Sequence, residues 1–107
     1  MTSVIEPEYK HFKRFIGSST INANGTYNTS ANYSDINEIM FVFKLGAALR
    51  QTFLYPKDIL NTNAAFPDYT IGASDRFYFI VTFTETSLVV SGYSSTSTSA
   101  SWDVYYR

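Results

Sequence analysis

The residues that could support acid–base or nucleophilic chemistry in this 107-residue chain are few. A Ser-His-Asp triad would have to use the one histidine, His11, and a lone histidine is more typical of a protein surface. Asp35 and Glu38 are close in sequence, as are Asp75 and Glu85 across a predicted turn, and glycoside hydrolysis needs two carboxylates. In a strand, however, Asp35 and Glu38 point to opposite faces. The sequence therefore predicts that the chain is not an enzyme.

Other catalytic and metal-binding chemistries lack their usual motifs. The chain has no cysteine, which excludes thiol nucleophiles and thiolate zinc sites. It contains no nucleophile elbow, P-loop, dinucleotide fingerprint or HExxH motif. Its nine carboxylates are scattered, without the clustering of a calcium loop. We therefore expect neither a cofactor nor a metal ion.

The charge and hydropathy of the chain limit the kinds of partner that we expect it to bind. The net charge is −1 and only 16% of the residues are charged, which disfavours nucleic acid, since that partner needs a basic face. The one basic cluster comprises Lys10, His11, Lys13 and Arg14, and it favours a solvated strand or loop, with an anion or phosphate site as the alternative. The longest apolar run, 77–81, is far shorter than the roughly 20 residues of a membrane helix. Residues 1–10 also lack the apolar core of a signal peptide.

The composition favours surface binding as the function. Aromatic residues make up 18% of a chain rich in Ser, Thr and Asn, and rigid aromatics among short polar side chains suit sugars or proteins. Asp103 and Tyr105 share a face of the last predicted strand that we expect to be exposed, where an acidic acceptor beside a ring can hold a sugar. Tyr93 lies at the base of a Ser/Thr-rich loop. The candidate ligand-binding residues are Tyr93, Asp103, Tyr105, Tyr33 and Tyr69, with ordinary packing or solvation as the alternative for each.

The strands that must position these side chains are clearest in the C-terminal half. Residues 76–83 are rich in β-forming side chains and too apolar for a strand with one solvated face. Residues 88–91 return after a polar turn and close a hairpin that ends at Gly92. The low-complexity run 94–101 predicts a flexible loop. Residues 102–106 form the final strand, with Trp102 and Val104 facing the core.

Residues 35–45 are compatible with two structures. Asp35 and Glu38 resemble a helix capping box, and several apolar residues follow at helical spacing. A helix here would have no polar face, however, and the run Ile-Met-Phe-Val-Phe has strong β propensity. The pattern favours a buried strand over 38–45. A second strand over 50–55 then ends at Pro56, and a short strand over 69–71 follows.

The N-terminal third is more polar. Residues 1–10 are expected to be a polar leader, followed by a strand over 11–16. Asn24-Gly25 is the strongest short hairpin signal in the chain, because both residues accept the positive φ of a type I′ turn. Its flanks, 20–22 and 26–27, would then be short strands. Sequons at Asn24, Asn28 and Asn32 are expected by chance in so Ser- and Thr-rich a chain.

Six to eight short strands, with turn signals about every ten residues, predict the fold class. It is all-β, an antiparallel β-sandwich of jelly-roll-like type. Residues 11–107 would form a single domain. Because the strands over 39–45 and 77–83 are apolar on both faces, we expect neighbouring subunits, as in a trimer, to cover them.

The order of strands and endings over about residues 36–107 resembles a known group of proteins. The segments that carry the resemblance are EIMFVFKLG, RQTFLYPKDIL, FYFIVTFTET, LVVSGYSS and the closing WDVYYR. They resemble the C-terminal tip domains of phage tail fibres and receptor-binding proteins. The resemblance implies a β-sandwich head on the virion tail, often trimeric, made in the bacterial cytoplasm, that binds saccharide or protein on the host cell surface. The alternatives are a structural virion or assembly protein, such as a decoration or tail component, and a monomeric carbohydrate-binding, lectin-like module.

Overall fold

The computed structural model describes residues 11–47, 49–62 and 64–107, and the expected leader over 1–10 lies outside them. The described residues form eight strands and two single 3-10 turns, Tyr33–Asp35 and Lys57–Ile59. The strands are β1 (Lys13–Arg14), β2 (Gly25–Asn28), β3 (Glu38–Leu45), β4 (Leu49–Pro56), β5 (Ala65–Ile71), β6 (Asp75–Phe83), β7 (Ser87–Ser95) and β8 (Ala100–Tyr106).

The strands form two four-stranded antiparallel sheets, which confirms the predicted all-β sandwich class. Sheet 1 has the order β1-β8-β3-β4, and sheet 2 has the order β2-β7-β6-β5. The pairs β1–β8 and β2–β7 are those of a jelly roll, whereas β3–β4 and β5–β6 pair as local hairpins. In each sheet the first and last strands named are therefore edge strands.

The core lies between the sheets and is dominated by aromatic rings. Alternation along β6 and β8 points every second side chain inward, and the Trp102 ring packs on Phe43, Phe53 and Phe79 at centroid distances of 4.8–5.8 Å. Burying each large apolar side chain contributes about 1.5–3 kcal/mol. The largest fully buried side chains include Trp102, Phe15, Phe41, Phe43, Phe77 and Phe79.

The segment over 35–45, whose sequence is compatible with a helix or a strand, contains strand β3 over 38–45, as its β propensity predicted. β3 pairs with β4 on one side and β8 on the other. Its odd-numbered side chains Ile39, Phe41 and Phe43 are fully buried in the core. The apolar residues between them lie on the other face of sheet 1, which explains why the run shows no polar alternation.

The predicted Asn24-Gly25 hairpin is wrong. Ile21 pairs with Trp102 of sheet 1, whereas β2 begins at Gly25 and pairs with β7 of sheet 2. The two flanks therefore belong to different sheets, and the segment between them crosses the edge of the sandwich. The φ angle of Gly25 is not positive, and Asn24 uses its side-chain oxygen to accept a hydrogen bond from the Tyr93 N–H. Tertiary pairing has overridden a local turn preference.

Several other strand boundaries differ from the prediction. The predicted strand over 11–16 is reduced to Lys13–Arg14. β5 starts four residues before the predicted 69, because Pro67 is tolerated in an edge strand beside a shift of register. β7 continues past Gly92 to Ser95, and β8 begins at Ala100, so only 96–99 remain of the predicted 94–101 loop. The Ser/Thr-rich run is thus mostly strand and turn.

Candidate functional site

A cleft rich in hydroxyl groups lies where β7 ends and the chain turns into β8. We call it the hydroxyl cleft. Its volume is about 310 Å³, which falls at the small end of ligand pockets. It is lined by Asn22, Tyr93, Ser95, Thr96, Ser97, Thr98 and Ala100.

A β-bulge places the aromatic wall of this cleft. Tyr78 pairs with Ser94 and Ile80 pairs with Ser91, so the single residue Phe79 faces both Gly92 and Tyr93. Gly92 has φ +60°, the left-handed conformation that a bulge of this type requires. In a regular strand Tyr93 would share the face of Ser91. The extra residue moves it to the core side, at the end of the sheet.

Tyr93 is fixed by its surroundings. Its ring stacks on Phe79 at a centroid distance of 6.2 Å and an interplanar angle of 19°. Its N–H donates to Asn24 Oδ1 at 2.8 Å, which ties β7 to the segment that crosses between the sheets. Burial raises the pKa of the Tyr93 phenol above its ordinary value of 10.0, and a hydrogen bond with Ser95 acts in the opposite direction.

The turn that forms the other wall is held by its own hydroxyl groups. Ser95 Oγ donates to the Ser97 carbonyl at 2.6 Å, and the Ser99 N–H donates to Ser97 Oγ at 3.2 Å. Thr96 and Thr98 are exposed and, within the described part of the chain, make no side-chain hydrogen bond. The turn therefore presents two free hydroxyls on a pinned backbone, opposite an aromatic ring.

The second candidate surface is the face of sheet 1 that points away from sheet 2, here called the outer face. Contrary to expectation, Asp103 is not exposed on it: only 8% of the residue is accessible. Lys44 Nζ lies 3.0 Å from Asp103 Oδ2, and Arg14 Nη2 lies 3.4 Å from Oδ1. These two cations cover the carboxylate, so it acts as their counter-charge and is largely shielded from solvent.

Tyr105 is half-buried beside this cluster. The guanidinium of Arg14 lies over the Tyr105 ring at 5.3 Å, and its Nη1 donates to the phenol oxygen at 3.2 Å. Arg14 also donates to the backbone carbonyls of Gly17 and Ser19. Five contacts thus hold one arginine, which fixes the position of both Asp103 and Tyr105.

A broader groove runs along the outer face beside Tyr105. We call it the outer groove. Its volume is about 590 Å³. Among the described residues it is lined by Met40, Val42, Arg50, Thr52 and Tyr105.

The other two candidate tyrosines do not join either surface. Tyr33 stacks on Phe83 at 4.9 Å, and its hydroxyl donates to the Lys57 carbonyl at 3.0 Å. Tyr69 packs edge-on against Phe43 and Phe53 at 5.2 and 5.6 Å. Both rings therefore close the ends of the core. Of the five predicted residues, only Asp103 and Tyr105 lie together, and Tyr93 lies in the hydroxyl cleft.

Asn22, Lys44 and Arg50 were not among the predicted ligand-binding residues. Two sequence signals could have found the two cations. Alternation along β3 puts Lys44 on the face opposite the core, and the β3–β4 hairpin puts Arg50 beside it, because the register pairs Lys44 with Arg50. Asn22 had no local signal, because it reaches the cleft only through the pairing of Ile21 with Trp102.

Two of the four carboxylates considered for catalysis, Glu38 and Glu85, have other contacts. Glu38 pairs with Arg107, and Glu85 accepts hydrogen bonds from the N–H and hydroxyl of Ser34. Within 11–47, 49–62 and 64–107, no three His, Cys, Asp or Glu residues are grouped as metal ligands would be. In the same ranges, no helix has the length and apolar character needed to cross a membrane.

No protein-family model, curated protein or solved structure matches this chain.

Proposed function

We propose that this chain is the receptor-binding head of a phage tail and that it binds a host cell-surface saccharide in the hydroxyl cleft, without catalysis. The observation that carries the proposal is the placement of Tyr93 by the Gly92 bulge, opposite the free hydroxyls of Thr96 and Thr98. Bulges occur often beside functional sites, where they redirect one side chain.

The chemistry of the cleft matches that of a sugar. A pyranose ring presents a C–H face, which packs on an aromatic ring, and an edge of hydroxyls, which both donate and accept. Thr96 and Thr98 hydroxyls also donate and accept, and the Asn22 amide does both through separate atoms. Because Tyr93 and the turn are already held by internal hydrogen bonds, little ordering entropy is lost on binding.

The resemblance of residues 36–107 to phage tail tip domains supports the location and the host. It implies a head carried on the virion that recognises saccharide or protein on a bacterial surface. A lectin-like module would bind saccharide in the same cleft but would be a monomer. The mass of the protein in solution therefore distinguishes a trimeric phage head from a lectin-like module.

Binding to an array of bacterial surface saccharides tests the proposal. We expect Asn22→Ala and Thr96→Ala each to weaken saccharide binding about 2- to 13-fold, the loss for one neutral hydrogen bond. Thr82→Ala, which removes an exposed hydroxyl near the C-terminal end of β6, is the matched control. If the protein binds saccharide and the cleft variants bind as well as this control, the cleft is not the site. If the unmodified chain binds no saccharide on the array and does not adsorb to bacterial cells, the proposed function is wrong.

A specific feature favours a second candidate function, that of a structural component of a virion. β4 is an eight-residue edge strand with one charged residue, and its Leu54 side chain is 47% exposed. A long, weakly charged edge is a template for pairing with another chain. A structural component would assemble through such an edge and bind no saccharide.

A further inference from the structure

The outer face of sheet 1 is positively charged, although the chain as a whole carries −1. Its described residues include four cations and two carboxylates. Glu38 and Arg107 form a pair at one end of the face, and Asp103 offsets one of the remaining cations. Two positive charges are therefore left over among Arg14, Lys44 and Arg50.

Two of these cations are neighbours across two paired strands. Lys44 and Arg50 are cross-strand partners in the β3–β4 ladder, and their side chains point to the same face. Like charges in this relation destabilise a sheet. Lys44 has Asp103 as a partner, but Arg50 donates only to the Gly46 and Leu49 carbonyls, and no carboxylate of the described residues pairs with it. An anion bound at Arg50 would relieve this repulsion.

The surface next to Arg50 is apolar and aromatic. The outer groove runs from Arg50 past Thr52 to Met40, Val42 and the Tyr105 ring. Its volume of about 590 Å³ is typical of small-ligand pockets. A ligand that fills it would place one anionic group at Arg50 and lay an apolar surface against Met40 and Tyr105.

We propose that the outer groove is a second ligand site that binds a carboxylate-bearing sugar, of the uronate or sialate type. The guanidinium of Arg50 takes the carboxylate, in the two-pronged geometry that arginine offers and lysine does not. The C–H face of the ring packs on Tyr105, which Arg14 holds in place. Asp103 keeps Lys44 and Arg14 in position beneath the ligand and does not contact it. This site is separate from the hydroxyl cleft.

The probes are galacturonate, glucuronate and sialate oligosaccharides, each with its methyl ester as the neutral counterpart, in titration calorimetry at low and at physiological salt. We expect the acidic form to bind at least tenfold more tightly than its ester, and Arg50→Gln to remove that difference. Lys13→Gln is the matched control, because it changes the net charge equally, lies on the edge strand of the same sheet and faces away from the groove.

Thermal unfolding gives an independent readout. Arg50→Gln should slightly raise the Tm of the free protein, because it removes the Lys44–Arg50 repulsion, and should abolish the rise in Tm that the acidic saccharide causes. A merely structural arginine would lower the Tm of the free protein instead.

Three results would overturn the proposal. The first is that the acidic saccharides bind no more tightly than their methyl esters. The second is that the Arg50→Gln variant binds the acidic saccharides as tightly as the Lys13→Gln variant does. The third is that inorganic phosphate competes at the same concentration as the sugar, which would indicate a general anion site. The Asn22→Ala variant separates this site from the hydroxyl cleft, since it should bind the acidic probes normally. The experiments can therefore disprove either proposed site without disproving the other.

Discussion

Asp103 lies on the outer face of sheet 1 and is nevertheless nearly covered, because Arg14 and Lys44 close over its carboxylate. An asparagine at position 103 would keep the shape of the aspartate side chain but would remove the negative charge between the two cations. We expect Asp103→Asn to lower the free energy of unfolding by about 1–2 kcal/mol, less than for a fully buried pair, since both cations reach solvent. Urea unfolding followed by the fluorescence of Trp102, the one tryptophan of the chain, measures the change.

Asp75→Asn is the matched control for this substitution, because Asp75 is an exposed carboxylate at the start of β6. It should change the stability by no more than about 0.5 kcal/mol. Equal losses in the two variants would contradict the role of Asp103 as an organising counter-charge.

The burial of single side chains was predictable where alternation alone decides it. Trp102 and Val104 are buried, as the pattern along the last strand predicted. The same pattern placed Asp103 on the opposite face, correctly, but its exposure was predicted wrongly. Its cover comes partly from Arg14, which is 89 residues away in sequence and reaches it only because β1 pairs with β8. Contacts of this kind depend on sheet register, which no local pattern specifies.

The bulge in β7 links backbone geometry to the hydroxyl cleft. Gly92 adopts φ +60°, so alanine there costs about 1–2 kcal/mol of backbone strain, and the added Cβ itself meets Ile80 Cδ1 only at an ordinary 3.5 Å. We expect Gly92→Ala to destabilise the protein by that amount in urea unfolding. Because a strand without the bulge would turn Tyr93 to the other face, saccharide binding should fall as well.

Gly25→Ala serves as the control for the bulge. The φ of Gly25 is not positive, and an added Cβ there would meet only Tyr27 Cε1, at 3.8 Å. Its stability should change far less than that of Gly92→Ala. If Gly92→Ala unfolds at the same urea concentration as the control, or binds saccharide normally, the bulge does not place Tyr93 as we describe.

The residue composition predicted where strands form, but it did not predict which strands pair with each other. The runs over 38–45 and 76–83 are β-rich and apolar, and they became the central strands β3 and β6. Asn24-Gly25 had the right residues for a hairpin, yet its flanks pair with different sheets, because Ile21 fills a core position beside Trp102. The bulge at Gly92 was likewise hidden, since a glycine after an apolar run indicates a strand end as readily as a bulge.

The sandwich leaves two edges, and they differ in how well they are protected. On one edge, β1 has two residues and β2 has four, and short edge strands resist pairing. On the other edge, β5 has seven residues and contains Pro67, which cannot donate to a further strand. β4 beside it has eight residues, Leu54 is exposed, and Ile59 in the following 3-10 turn is 42% exposed. The second edge is therefore where a further copy of the chain would add a strand and cover apolar surface.

We expect the chain to assemble in solution through the β4 edge. Light scattering coupled to gel filtration should give a multiple of the 12.1 kDa chain mass, three if the expected trimer forms. Leu54→Lys should shift the protein to a monomer, because a charge on an exposed edge strand opposes pairing, whereas Thr26→Lys on β2, at the protected edge, should leave the mass unchanged. A monomer at high micromolar concentration would contradict subunit cover and favour the lectin-like alternative. A stable assembly that binds no saccharide would instead favour the structural virion component.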